Sequence, residues 1–198
     1  MIFIVSIRDA ERKESRQRRR LRAAAGSGAQ RFADGGLSGY ARPVKKLTGY
    51  PGCMACGKAN PRGLQLDLYF DDGRVETRFR IPEYAQGFPG AAHGGILCTV
   101  LDEVMAWAAI ETTGRFYVTG EMNVRFLAPA VPGDEIIARG EIAEDRRRYL
   151  VCRGEVQGAD GRVLAKAEGK FFPVAAEKQA EMEGRWREDA LRLGHPLP

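Results

Sequence analysis

From Ala92 to Glu111 the chain reads AHGGILCTVLDEVMAWAAIE, and between Ile96 and Ile110 only Thr99, Asp102 and Glu103 interrupt the apolar residues. A helix that is apolar on every side is a buried helix. About 20 residues predict a rod of about 30 Å. On both sides of it the period changes to two. Leu64, Leu66, Leu68 and Phe70 alternate with Gln65, Asp67 and Tyr69, and Val75, Thr77, Phe79 and Ile81 repeat the pattern after Asp72-Gly73, a hairpin signal. A Pro/Gly-rich loop, PEYAQGFPGAA, leads into the helix. After it come RFYVTGEMNVRFLAP, EIIARGEIAEDR, RYLVCRGEVQGADGR and VLAKAEGKFFPV, each strand-like, with turns at Pro132-Gly133-Asp134 and Asp160-Gly161. Two strands, one long helix and three or four further strands predict an α+β fold. A curved antiparallel sheet of five or six strands wraps one central helix, and a second copy can cover what the sheet leaves open.

Charge is unevenly distributed. Residues 1–50 hold 12 Lys/Arg against 4 Asp/Glu, and the other 148 hold 19 against 22. The net charge of +5 therefore belongs to an N-terminal arm. The expected organisation is a basic, Gly-rich, disordered arm at 1–48, a folded body at 49–174, and a charged, helical tail at 175–198. RKESRQRRRLR lacks interleaved aromatics and any nucleic-acid motif, so no nucleic-acid partner is expected. MIFIVSI is too short for a signal peptide, and no 18-residue uncharged run predicts a membrane span. Four cysteines in a protein of this length do not form a disulfide framework. Cys98 reads as a small core residue. A soluble, cytoplasmic protein is expected.

The helix carries the candidate chemistry. An acid inside an apolar helix is costly unless paired, protonated or functional. The first basic residue after Asp102 in the sequence is Arg115. Asp102 is therefore the candidate base or nucleophile, and Glu103, about 100° further round, is the second. His93-Gly94-Gly95 opens the helix, where unpaired amides with partial positive charge can hold a developing oxyanion, or where glycines merely make a tight turn. Gly94 and Asp102 lie about 12 Å apart along the axis. One helix cannot bring both to one carbonyl, so two antiparallel copies are expected if both act together. Cys53-x-x-Cys56 is half a zinc site without a second ligand pair and reads as an ordinary turn, with no metal expected.

The segments CMACGKANPRGLQL, QGFPGAAHGGILCTVLDEVMAWAA and VTGEMNVRFLAPAVPGD together resemble the hotdog-fold acyl-CoA thioesterases of the phenylacetate-pathway (PaaI-like) type, over about residues 50–174. The resemblance implies a sheet wrapped around one helix, a homodimer or dimer of dimers, and thioester hydrolysis at the subunit interface without a cofactor. It places the oxyanion glycine at Gly94 behind His93, the catalytic acid at Asp102, and a water-positioning hydroxyl at Thr119. An Asn common in the family falls here on Gly87, with Gln86 beside it as a substitute. Gly95, Glu103 and Arg125 are expected at the substrate-binding surface, Arg125 facing CoA phosphates. Three other readings remain open. One is hydration or dehydration of an enoyl thioester with His93 as base, another is non-catalytic acyl-CoA binding, and the third, against the expectation for the arm, is nucleic-acid binding by the arm with the body as dimeriser.

Overall fold

A computed structural model describes residues 44–196. The central helix, α1, spans Gly94–Thr113. It ends at Gly114, a left-handed residue with φ of 69° whose N–H bonds the Ile110 carbonyl. Among the described residues the strands are β1 (Lys45–Lys46), β2 (Tyr69–Asp71), β3 (Arg74–Arg80), β4 (Gln86–Phe88), β5 (Ala91–Ala92), β6 (Tyr117–Phe126), β7 (Glu135–Asp145), β8 (Leu150–Gly158) and β9 (Val163–Pro173). A second helix, α2, spans Ala176–Arg192.

Seven strands form one antiparallel sheet in the order β1-β2-β3-β7-β8-β9-β6. The α+β architecture is the expected one. The strand count exceeds five or six because two very short strands extend one edge. Lys45 and Lys46, on the arm side of the expected boundary at 48, pair with Phe70 and Tyr69, and Leu47 is buried. The rest of the arm lies outside the described residues. The run from Leu64 to Phe70 keeps its alternation in burial but not in pairing, and only Tyr69–Asp71 joins the sheet. Leu64 and Leu66 instead bond Met54 and Ala55 through their amides. The loop before α1 also differs from expectation, because β4 and β5 form a small separate hairpin within it.

The sheet lies against α1 with little clearance. A Cβ on Gly140 of β7 would stand 2.5 Å from the Val104 carbonyl carbon, so only glycine lets the strand pass beneath the helix backbone. Leu97, Val100, Leu101, Val104, Met105, Ala108 and Ala109 are buried there. Burial is not complete around the helix. Cys98, Thr99, Asp102 and Ala106 form a half-exposed stripe. Cys98 therefore belongs to Asp102's side of the helix and not to the core.

The far flank of α1 is closed by residues 47–68 and by α2. Within the expected tail, α2 docks on the body through Trp186 and Ala190. Trp186 meets Trp107 of α1 edge-on at 5.7 Å, Tyr50 edge-on at 6.1 Å, and stacks on Phe116 at 5.7 Å. The Tyr50 hydroxyl also bonds Asp189. Such aromatic pairs add to the area they bury. No described helix is long and apolar enough to cross a membrane.

Trp186→Ala removes the side chain on which three aromatic residues converge. It is expected to lower unfolding free energy by roughly 3–5 kcal/mol, measured by denaturant titration. A loss under about 1 kcal/mol would show that α2 is not part of the cooperative unit.

Candidate active site

Asp102 lies on the half-exposed stripe of α1, and the Thr119 hydroxyl on β6 donates to its Oδ1 at 2.6 Å. Strict alternation along β6 would forbid this contact. Met122, Val124 and Phe126 oppose Gly169, Ala167 and Ala165, which places the even-numbered side chains on the helix side. Counting back by twos would turn Thr119 to the outer face. A bulge between Thr119 and Glu121 shifts the register by one, and Thr119 then opposes the fully buried Phe171. Gly120 is the sequence signal for that bulge, since a glycine inside a strand pattern often marks one. Among the described residues no Lys or Arg forms an ion pair with Asp102. Burial and the Asp102 charge push the thiol of Cys98 upward.

At the helix start, His93 is the N-cap with φ −64° and ψ 129°, and its Nδ1 accepts the Gly95 N–H at 2.9 Å. This assigns His93 a helix-capping contact and uses the one amide that Gly95 could offer a ligand. The Gly95 amide, expected at the substrate-binding surface, is therefore committed to the cap in this structure. The Gly94 N–H has no acceptor among the described residues. Beside it lies an open cavity of about 420 Å³, bordered by Ala92, Gly94, Leu97 and residues 126–130. The Phe126 ring forms its wall, 3.1 Å from where a Gly94 Cβ would be, and is itself 53% exposed. A free helix-start amide beside an open cavity can receive a carbonyl oxygen with its acyl chain.

Gln86, the substitute for the missing Asn, makes two long hydrogen bonds. Its side-chain oxygen accepts from the Gly90 N–H at 3.3 Å and its nitrogen donates to the Glu83 carbonyl at 3.3 Å, so it braces the β4–β5 hairpin. At Gly87 a Cβ would stand 3.1 Å from the His93 Cα, leaving little room for a longer side chain. Arg125 points away from Phe126, because neighbouring residues on a strand face opposite sides. It opposes Lys166 on the outer face, among the Lys166–Glu155, Arg153–Glu168 and Lys170–Glu121 ion pairs.

Glu103 is also separated from Asp102. It turns toward the lead-in segment, where Trp107 Nε1 donates to its Oε1 at 2.9 Å and Cys53 Sγ lies 3.9 Å from that oxygen. Burial, with the Cys53 sulfur beside it, pushes the Glu103 carboxyl up to about 7. A hydrogen bond from Cys56, helped by nearby backbone amides, holds the Cys53 thiol well below its usual range. The same hydrogen bond and burial push Cys56 up. Sequence reasoning placed Glu103 with substrate because the cysteines lie 50 and 47 residues earlier, and only folding brings them together.

Residues 89–165 match the profile of the thioesterase superfamily. A Saccharolobus solfataricus protein named "Putative esterase" is 30% identical over 115 residues, which are 58% of this chain and 81% of that protein. The bovine acyl-coenzyme A thioesterase THEM4 is 27% identical over 113 residues, 56% of this chain and 45% of that protein. The chain thus spans about half the length of the curated acyl-CoA thioesterases it matches. Among solved structures, a Streptococcus mutans protein bound to acetyl CoA superposes with a TM-score of 0.53 at 25% identity, covering 56% of this chain and 89% of that one. The E. coli PaaI protein from the phenylacetic acid degradation operon superposes with a TM-score of 0.54 at 22% identity, covering 61% and 84%, and shares the fold. The chain belongs to the thioesterase superfamily, and its architecture is the hotdog fold.

His93→Ala removes a cap and is expected to lower stability by about 1 kcal/mol. Thioester turnover, where measured, should change less than about tenfold. A loss of about a hundredfold or more would make His93 a proton-transfer residue.

Proposed function

We propose that this chain hydrolyses acyl-CoA thioesters to free acid and CoA, as a homodimer or dimer of dimers. The observation that carries the proposal is the Thr119–Asp102 hydrogen bond at 2.6 Å on a half-exposed face of the helix whose first amide, Gly94, remains open. The thioester carbonyl oxygen accepts from the Gly94 N–H of one protomer. Asp102 of the facing protomer takes a proton from water as the water oxygen bonds to the thioester carbon. Thr119 has donated its hydrogen to Oδ1, so its lone pairs are left to accept from that water. The oxyanion is stabilised at the helix start, and its collapse breaks the C–S bond. The proton leaves Asp102 with the CoA sulfur.

A dimer fits the same reading. Gly94 and Asp102 are separated by about 12 Å along one axis, too far to act on one carbon within a single protomer. β6 is an edge strand of ten residues with Val118 and Phe126 exposed and no strand beyond it among the described residues. Such an edge is a template for pairing with another protomer. All four cysteines are free thiols, which fits a reducing compartment such as the cytoplasm. His93 acting as helix cap favours hydrolysis over the enoyl-thioester hydratase reading.

Asp102→Asn is expected to cut free-thiol release from acyl-CoAs by about 10²–10⁴-fold with the fold retained. Gly94→Pro removes the amide and also sets a ring against Phe126, and it serves as the second inactive variant for the mixing experiment. Proline removes the N–H, suits the first helical position, and requires a preceding residue that is extended, as His93 already is. It should cost about 10²–10³-fold in kcat. Mixing and re-equilibrating the two inactive variants should restore about a quarter of wild-type activity, because half the dimers then carry one complete site of two. No recovery on mixing, with subunit exchange demonstrated, would place both groups in one protomer. Near-wild-type rates in Asp102→Asn would overturn the hydrolytic assignment.

A further inference from the structure

The fold unites three donor side chains away from Asp102. Cys53 and Cys56 come from the lead-in and Glu103 from the centre of α1, and their donor atoms all lie within 4.8 Å of one another. We propose that Cys53, Cys56 and Glu103 form a binding site for a single thiophilic divalent cation of the zinc class. A tetrahedral ion with Zn–S of about 2.3 Å and Zn–O of about 2.1 Å sets its donors roughly 3.5–3.8 Å apart. Cys53 Sγ already stands 3.9 and 4.0 Å from the two Glu103 oxygens. The remaining donor pairs lie no more than 4.8 Å apart, about 1 Å beyond that spacing.

The surroundings are shaped for the sulfurs. Cys53 to Gly57 makes a single turn in which the Gly57 N–H bonds the Cys53 carbonyl at 3.1 Å. The Ala55 N–H points at Cys53 Sγ at 3.3 Å, an interaction that favours a thiolate. Gly57 admits no side chain, since a Cβ would stand 2.4 Å from the Cys53 carbonyl oxygen. Gly49 admits none either, because a Cβ would lie 2.4 Å from Cys56 Sγ. Two ladder-like bonds, Leu64 N–H to Met54 at 2.8 Å and Leu66 N–H to Ala55 at 3.0 Å, hold the turn against the body. The sulfurs are therefore positioned before an ion arrives.

The carboxylate is equally prepared. Trp107 Nε1 fixes Oε1 at 2.9 Å, the outer hydrogen bond that orients a metal ligand. Glu103 forms no ion pair with a Lys or Arg among the described residues, so an apolar helix carries an acid with only an indole and two thiols beside it. An acid in such a place is held protonated or paired, and a cation would supply the pair. Two thiolates and one carboxylate supply three negative charges for a divalent ion, and a water completes four-coordination. The ion would tie the lead-in to α1 one residue after Asp102, about 100° round the helix.

The test uses the full-length protein, reduced and stripped with a chelator, titrated with Co²⁺ as the spectroscopic probe and then with Zn²⁺. One Co²⁺ per protomer should bind, with thiolate-to-cobalt charge-transfer absorption and the intense visible bands of tetrahedral cobalt, and Zn²⁺ should displace it. Zn²⁺ should also raise the thermal midpoint, reversibly on chelation. Cys53→Ser and Cys56→Ser should abolish the charge-transfer band, and Cys98→Ser and Cys152→Ser should leave it. Glu103→Gln keeps an acceptor for Trp107 and should weaken Co²⁺ binding by at least about tenfold. Circular dichroism on each variant confirms folding. Wild type without a saturable band, a band that survives loss of both cysteines, or unchanged affinity in folded Glu103→Gln would overturn the site. Each readout is independent of thioester turnover.

Discussion

The rest of the structure depends on how closely the sheet approaches the central helix. Gly140 removes the side chain that would strike the Val104 and Met105 backbone, and a Cβ on Gly154 would stand 3.0 Å from the Leu101 side chain and 3.2 Å from that of Met105. With no slack at that contact, the helix cannot rotate about its axis without clashing. Its rotation decides which residues face the sheet and which emerge at the two flanks. Asp102 emerges beside β6 and Glu103 beside the lead-in. Two adjacent acids in an apolar run thus have separate chemical surroundings, set by a crossing defined by two glycines.

Each flank then uses a local departure from regular structure. On the Asp102 side the bulge at Gly120 reverses the face of Thr119, so a hydroxyl reaches the carboxylate from a strand whose simple period would turn it away. On the Glu103 side the backbone from Cys53 to Gly57 turns once, and its amides gather around sulfur. In both places an irregular backbone brings polar atoms to an acid that the regular elements alone would leave against apolar neighbours.

The half-exposed stripe of the helix and the open Gly94 amide both border β6, whose outer edge pairs with no other strand among the described residues. One protomer leaves uncovered the very residues that the proposed chemistry requires. This is what a site completed by a second copy would look like from one protomer, since apolar surface and unpaired strand groups are otherwise liabilities. The C-terminal helix has a different role. It closes the opposite flank through Trp186 and thereby backs Trp107, whose indole orients Glu103.

Much of the fold was legible because its signals are local. The period of two in the strands after the helix, the turn dipeptides and the long apolar helix all appear where the sequence indicated. The positions of Gly94, Asp102 and Thr119 followed from the resemblance, and the structure brings Thr119 and Asp102 into hydrogen-bond contact. The sequence misled where burial depends on partners in space. It marked the whole helix as core, including Cys98, since composition does not show which arc a sheet will cover. It left Cys53 and Cys56 apart from Glu103, whose carboxylate lies 47 residues beyond Cys56 in the sequence and beside them in space. It grouped Glu103 and Arg125 with substrate, and in the structure Glu103 faces the lead-in while Arg125 lies on the outer face of the sheet. Local propensity and periodicity are properties of neighbours along the backbone. Ligand sets, the face of a bulged strand and the company an acid keeps are properties of neighbours across space, and only the tertiary structure decides those.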